Sequence, residues 1–231
     1  KEIRAYVELH IEQGPVLEAQ RIPIGVVEAI VGIRRYGVTF RGRADHAGTT
    51  PMRDRKDALL GAADLILRGR ELVLTEGTEA SRVTVGIIQV KPAVGNIVSA
   101  EAYLTYELRE QSGELLRSLA EKSRALAAKV ASARGLEVSI ETILEIDPVP
   151  VAEEVKAAIM AAADELGLKH LRLPAMAGHD AQVVGRVASA GMIFVPSRDG
   201  RSHSPLEFTA DEDVERGANV LLLTLLRLAA G

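Results

Sequence analysis

The sequence predicts an α/β protein that carries an inserted β-α-β-β-α-β unit. Three observations predict it. Strand-like and helix-like periodicities follow one another in that order over residues 35–146. The flanking pieces, 1–24 and 147–231, alternate short apolar strands with amphipathic helices. Between unit and tail lies "DPVPV" (147–151), whose two prolines mark a linker.

Residues 3–11, "IRAYVELHI", alternate loosely and read as a strand that ends at the breaker "EQGP". A short helical turn, "VLEAQ", follows, and then two runs rich in Val, Ile and Thr, "IGVVEAIVGI" and "RYGVTFRGR". The period turns helical in "PMRDRKDALLGAADLILRGRELV", with Pro51 ahead of the apolar face. Strands "SRVTVGIIQV" and "AEAYLTYELRE" come next, separated by the turn "KPAVGN". A second helix is expected between Ser112 as N-cap and Gly135 as C-cap. The strand "LEVSIETILEI" closes a ferredoxin-like pattern, with both helices on one face of an antiparallel sheet. The open face and edges of such a sheet call for cover, which predicts a homodimer through this unit. In the tail we expect a helix over 152–166, a polar loop "LPAMAGHDA", a short helix to about Val187, the strand "GMIFVP" and a last helix over 209–229. Pieces 1–20 and 147–231 are expected to pack together, with a single convincing strand in the tail.

Of the 231 residues, 47% are hydrophobic, enough for one large domain or two small ones with real cores. The net charge of −4 and the lack of a long basic run give no argument for nucleic acid or a membrane surface. Cysteine is absent, which excludes disulfide and thiolate chemistry and leaves His, Asp and Glu as possible metal ligands. With three Phe, four Tyr and no Trp, the chain lacks stacking platforms for bases or sugars. No apolar run is long enough to span a bilayer, and "KEIRAYVELH" has no signal-peptide apolar region, so a cytoplasmic location is expected. The first residue is not Met and lies inside an apparent strand, which leads us to expect a further segment upstream, although a trimmed chain is the plain alternative. No nucleophile elbow, Walker loop or dinucleotide fingerprint occurs.

Four of the five histidines stand in short polar stretches. His10 lies near a strand end, where side chains point into clefts; a half-buried strand histidine is the competing reading. His203, in "GRSHSPLEFT", follows the clear C-terminal strand, where loops of α/β sheets carry sites, and Glu207 can orient it; an exposed polar loop is the alternative. His179 and Asp180 open a helix, either as an active-site contact or with Asp180 as a simple N-cap. His46, in "GRADHAGTTP", sits in a Gly- and Thr-bearing loop able to present donors to an oxyanion, or in a solvated turn. Arg109 on a strand can grip a carboxylate through two hydrogen bonds, whereas Asn96 in a Gly-Asn turn is as readily explained by backbone demands.

Taken in order, "ELHIEQGPVLEA", "GRADHAGTTPMRDRKDAL", "AGHDAQ" and "MIFVPSRDGRSHSPLEFT" resemble the amidase/hydantoinase/carbamoylase branch of the M20 metallopeptidase superfamily along the whole chain. The resemblance implies a catalytic domain holding two divalent metals (Zn, Mn or Co) and an inserted ferredoxin-like lid that dimerises. It implies metal ligands at His10 and His203 and substrate contacts at Gln13, His46, Asn96, Arg109 and His179. His46 would also serve catalysis at the reacting carbonyl, often in the neighbouring subunit's site, and Arg109 would take the substrate carboxylate. The family's remaining ligands and its general-base glutamate belong to an upstream lobe, so 1–24 and 147–231 would be a partial catalytic domain and 25–146 the lid. The substrate would be an N-carbamoyl amino acid or related linear ureide, and the chain alone is expected to be inactive. Two positions depart from the family: Glu107 precedes "LR" where Asp is usual, and Ala175 and Met176 replace Ser and Gly before "AGHDA". A non-catalytic dimerising or small-molecule-binding module is the alternative.

Overall fold

The computed structural model describes residues 3–230. It divides into two compact units, one made of residues up to Val31 and from Pro148 onward, the other of Gly32–Asp147. The sequence reading placed the first boundary after residue 24. The observed division falls later because the strand that begins at Ile24 hydrogen-bonds within the first unit.

The first unit contains β1 (Ala5–Ile11), α1 (Val16–Gln20), β2 (Ile24–Ile30), β8 (Val149–Pro150), α4 (Glu153–Glu165), β9 (His170–Ala175), α5 (Asp180–Val184), β10 (Ser189–Val195) and α6 (Asp211–Ala230). The second contains β3 (Gly32–Arg41), α2 (Ala58–Glu76), β4 (Arg82–Thr84), β5 (Ile88–Lys91), β6 (Glu101–Glu110), α3 (Gly113–Arg134) and β7 (Glu137–Ile146).

In the first unit the strands run β1-β10-β2-β8, with β9 also paired to β2. β1 lies parallel to β10, and β2 antiparallel to it. Both faces of β10 are covered, so it reads as a continuous apolar run rather than an alternating one. Ile193 and Val195 face α4 and α6 with Val155, Ile159 and Val220, while Met192 and Phe194 face the other core with Leu17, Val27 and Leu173. Each of these fully buried side chains contributes about 1.5–3 kcal/mol of transfer free energy. Strand β9 was read as part of a polar loop. It forms because β2 offers it a parallel edge, a non-local partner that local pattern does not reveal.

In the second unit the order is β4-β6-β3-β7, all antiparallel, with β5 continuing beside β6. The expected strand over 81–90 is thus two short pieces. Tyr36, Val38 and Phe40 of β3 and Ala102, Leu104, Tyr106 and Leu108 of β6 pack against Leu65, Leu116 and Leu119 of α2 and α3. Ser112 caps α3 by accepting the Leu115 N–H, and Gly135 ends it at φ 62°, as expected. By contrast, α2 begins at Ala58 rather than just after Pro51: Asp57 caps it, accepting from Leu59 and Leu60, and leaves "PMRDRK" outside it, with one 3-10 turn over Met52–Asp54. Among the described residues no helix is long and apolar enough to cross a membrane.

Candidate metal centre

Strand periodicity puts Tyr6, Glu8 and His10 on one face of β1, while Ala5, Val7, Leu9 and Ile11 pack toward α4 and α6. His179, immediately before α5, meets that face. The His10 and His179 rings contact edge-on, centroids 4.6 Å apart at 72°, with Phe194 beside both. One donor atom from each of Glu8, His10 and His179 lies within 4.8 Å of the others.

Hydrogen bonds define the chemistry of these donors. His10 Nδ1 lies 2.8 Å from the Ile11 carbonyl oxygen. A carbonyl only accepts, so Nδ1 carries the proton and Nε2 is left with the lone pair. Glu8 Oε2 accepts the Ala181 N–H at 2.8 Å. Its Oε1 lies 3.6 Å from His179 Nδ1. Burial pushes His179 down to about 4, and the neighbouring His10 adds to the effect against the opposing pull of Asp180. His179 is therefore a neutral imidazole near pH 7, and its approach to Glu8 is a polar contact rather than an ion pair. Two imidazoles and a carboxylate make a nitrogen–oxygen donor set that suits Zn²⁺, Mn²⁺ or Co²⁺, so these residues fit a divalent cation.

Asp180, whose plain reading was as the N-cap of α5, is instead its first residue. The carboxylate that takes a free N–H of this helix is Glu8, from another strand. A neighbouring carboxylate, Glu12, does the same for α1, accepting the Val16 and Leu17 N–H groups at 2.9 and 2.8 Å.

The His203 loop comes to the same end of β1. Gln13 donates from its backbone N–H to Ser197 Oγ and from Nε2 to Ser202 Oγ, at 3.1 and 2.8 Å. Gly200, at φ 63°, lies so close to Gly14 and Pro15 that a Cβ there would come within 2.7 Å of their backbone. Glu207 Oε2 accepts from Ser202 Oγ at 2.9 Å and from the His203 N–H at 3.0 Å. These two bonds hold the Glu207 carboxyl below its usual range, and the charges of His203 and His10 act in the same direction. Glu207 thus fixes the His203 backbone rather than its ring. His203 is not a member of the close Glu8–His10–His179 cluster.

The other site candidates lie in the second unit. His46 and Asn96 come together: His46 bridges to Ile97, and the Ala47 N–H donates to the Asn96 carbonyl at 2.9 Å. His46 Nδ1 accepts from the Gly48 and Thr49 N–H groups at 3.0 and 3.2 Å, so its proton sits on Nε2. Arg109 is elsewhere. It lies eight strand steps beyond Glu101 on β6, roughly 26 Å along the strand from the end that carries His46 and Asn96. Its Nε donates to Glu107 Oε1 at 2.7 Å, and Arg35 Nε donates to Glu107 Oε2 at 2.6 Å. Burial works to raise the Glu107 pKa, but the hydrogen bonds from Arg109 and Arg35 outweigh it and hold the carboxyl below its usual range.

Sequence reasoning gave Glu8 no role and named Glu107 only as a departure from the family pattern. The signal for Glu8 was its place two residues before His10, which strand periodicity puts on the same face. The signal for Glu107 was the same spacing before Arg109.

The family model for peptidase family M20/M25/M40 matches residues 1–227. The chain is 41% identical to an N-carbamoyl-L-amino-acid amidohydrolase of Paenarthrobacter aurescens over 98% of its own length and 55% of the relative's. It is 39% identical to an allantoate amidohydrolase of Bacillus subtilis (strain 168), over 99% of this chain and 55% of that one. The crystal structure of an amidase of the hydantoinase/carbamoylase family from Burkholderia multivorans superposes with a TM-score of 0.95 at 38% identity, covering all of this chain and 56% of the other. The chain thus spans about half the length of the relatives it matches. On the strength of a match that runs through both units, the chain belongs to peptidase family M20/M25/M40.

Proposed function

We propose that the chain is part of a metal-dependent amidohydrolase that cleaves the carbamoyl C–N bond of N-carbamoyl-L-amino acids or related linear ureides. For an N-carbamoyl amino acid and water, the products are the free amino acid, ammonia and carbon dioxide. The observation that carries this reading is the Glu8–His10–His179 donor cluster, on a chain closely similar to enzymes named for such substrates. In this reading the first unit belongs to a catalytic domain and the second, an antiparallel sheet with the two helices α2 and α3, is a ferredoxin-like lid.

His10, with Glu8 and His179 beside it, would hold one divalent cation, and His203 would complete the family's ligands from this chain. When bound, a two-metal centre of Zn, Mn or Co supplies Lewis-acid polarisation of the carbonyl and a more acidic water. The chain's own residues do the rest. His46 donates its Nε2 proton in a hydrogen bond to the carbonyl oxygen as negative charge gathers there. Asn96 lies beside it. Arg109, steadied by Glu107, offers a planar fork to the substrate carboxylate. Gln13, held in place by Ser197 and Ser202, contacts the bound substrate.

The distance of roughly 26 Å between the His46 end of β6 and Arg109 exceeds the length of a carbamoyl amino acid. This supports a homodimer in which His46 and Asn96 of one copy serve the other copy's substrate. The protein would act in the cytoplasm.

The test is release of ammonia from N-carbamoyl-L-amino acids and from allantoate, with Mn²⁺, Zn²⁺ or Co²⁺ and then with a chelator. It compares the 231-residue chain with a polypeptide completed to the length of its relatives. We expect chelator-sensitive turnover by the completed polypeptide and none by the chain alone. Turnover that survives chelation, or no turnover of either substrate class, overturns the reading.

A further inference from the structure

We propose that Arg55 is a positioning residue that fixes the tautomer and direction of His46 by gripping the turn that carries it. The inference rests on the reading of His46 as a donor to substrate and deepens it.

His46 is exposed, in a loop whose own side chains bury little, so packing does not hold its ring. Hydrogen bonds do. The imidazole Nδ1 is held by the N–H groups of Gly48 and Thr49, which leaves Nε2–H as its outward donor. That arrangement survives only while residues 46–50 keep their curvature. On one side the turn is tied down by the His46–Ile97 bridge, the Ala47 N–H on the Asn96 carbonyl and the Thr50 N–H on the His46 carbonyl. On the other side Arg55 closes it. Arg55 Nε donates to the Thr50 carbonyl at 3.0 Å, and a terminal guanidinium nitrogen donates to the Ala47 carbonyl. One rigid fork thus spans the two residues that flank Gly48 and Thr49, the donors to His46.

Two features separate this arginine from an ordinary surface charge. It is half-buried, and no ion pair with a carboxylate is found for it among the described residues, whereas Arg43 pairs with Asp45 and Arg53 with Asp54. Its guanidinium is committed to backbone carbonyls. Lysine cannot replace it fully, because one ammonium point charge cannot reproduce the planar pair of donors. Arg55 makes no contact with the reacting atoms in this account, so its effect passes through the ring it orients.

The experiment is ¹⁵N NMR of histidine-labelled protein, recorded above the histidine titration range on the 231-residue chain and on its Arg55→Ala and Arg55→Lys variants. His46→Asn identifies the His46 signals. In the parent we expect one unprotonated nitrogen and one protonated nitrogen for His46. In Arg55→Ala the two are expected to move toward a tautomer average, with Arg55→Lys between them and the His10, His179 and His203 signals unmoved. In the completed polypeptide, Arg55→Ala should lower kcat by about 10- to 100-fold while KM stays within about threefold, and Arg55→Lys should restore part of kcat.

Unchanged His46 nitrogens in Arg55→Ala overturn the proposal, whatever the activity. If Arg55→Ala does not fold, Arg55→Lys decides by the same spectrum. If His46→Ala retains full kcat in the completed polypeptide, the reading of His46 falls, while the spectrum still decides whether Arg55 holds the ring.

Discussion

Glu8 joins two roles in one carboxylate. Its Oε2 takes an otherwise unsatisfied N–H at the start of α5, and its Oε1 faces His179. The first role anchors the loop that brings His179 to His10; the second supplies negative charge beside the two imidazoles. Substituting Glu8 by Gln keeps an oxygen for the Ala181 N–H but removes the charge. We expect Glu8→Gln to weaken Zn²⁺ or Mn²⁺ binding by about 10- to 100-fold, read by calorimetric titration of the chain. An unchanged Kd would remove Glu8 from the metal's surroundings. Glu107 makes a different prediction. Its pKa in the folded chain lies below the usual carboxylate range, because the Arg109 and Arg35 hydrogen bonds outweigh burial. A carboxyl depressed in this way contributes stability that is present above its unfolded pKa and is lost as pH falls through the folded value. Denaturant midpoints measured from about pH 7 down to about pH 3 should therefore fall less steeply in Glu107→Gln than in the parent. Parallel profiles would contradict this. The two Glu107 oxygens each accept from one of the two arginines.

Among the elements, the end of β6 depends on a carboxylate that the sequence does not advertise. Glu110 is fully buried. It accepts from Thr78 Oγ1 at 3.0 Å, from Ser81 Oγ, and from the Gln111 and Ser112 N–H groups at 2.8 and 3.0 Å. The end of α2, the approach to β4 and the start of α3 are thereby tied to one side chain. Glu110→Ala would strand these donors where water is scarce, at a cost of about 2–4 kcal/mol. Urea unfolding checks this, and a loss of a few tenths of a kcal/mol would show that the donors find other partners. The element-level reading succeeded where local chemistry decides. The caps of α3 at Ser112 and Gly135 were legible because capping is set within a few residues. The start of α2 was not, because Pro51 looks like a helix opener while Asp57 makes the actual cap. Strand β9 was not either, because its pairing with β2 joins segments far apart in the chain.

At the level of the whole molecule, the second unit leaves Leu67 and Leu74 of α2 68% and 62% exposed, one heptad apart on the same helix face. The two leucines form an apolar stripe that the proposed homodimer would cover. Light scattering of the chain should report a dimer, and Leu67→Asp with Leu74→Asp should shift it toward monomer. A parent that is already monomeric at every concentration would contradict this.

The sequence by itself determined the succession of helices and strands in Gly32–Asp147, apart from the break within residues 81–90, and the continuous apolar run of β10. Each of these follows from local periodicity or from motifs a few residues long. Only the tertiary structure decided that β2 belongs with β10 and β9, that His179 rather than His203 stands within the close donor cluster with His10 and Glu8, and that Arg109 lies at the far end of β6 from His46. The physical reason is common to the first two. Strand pairing and ring-to-ring approach are set by the packing of segments well over a hundred residues apart, and no window of sequence contains both partners.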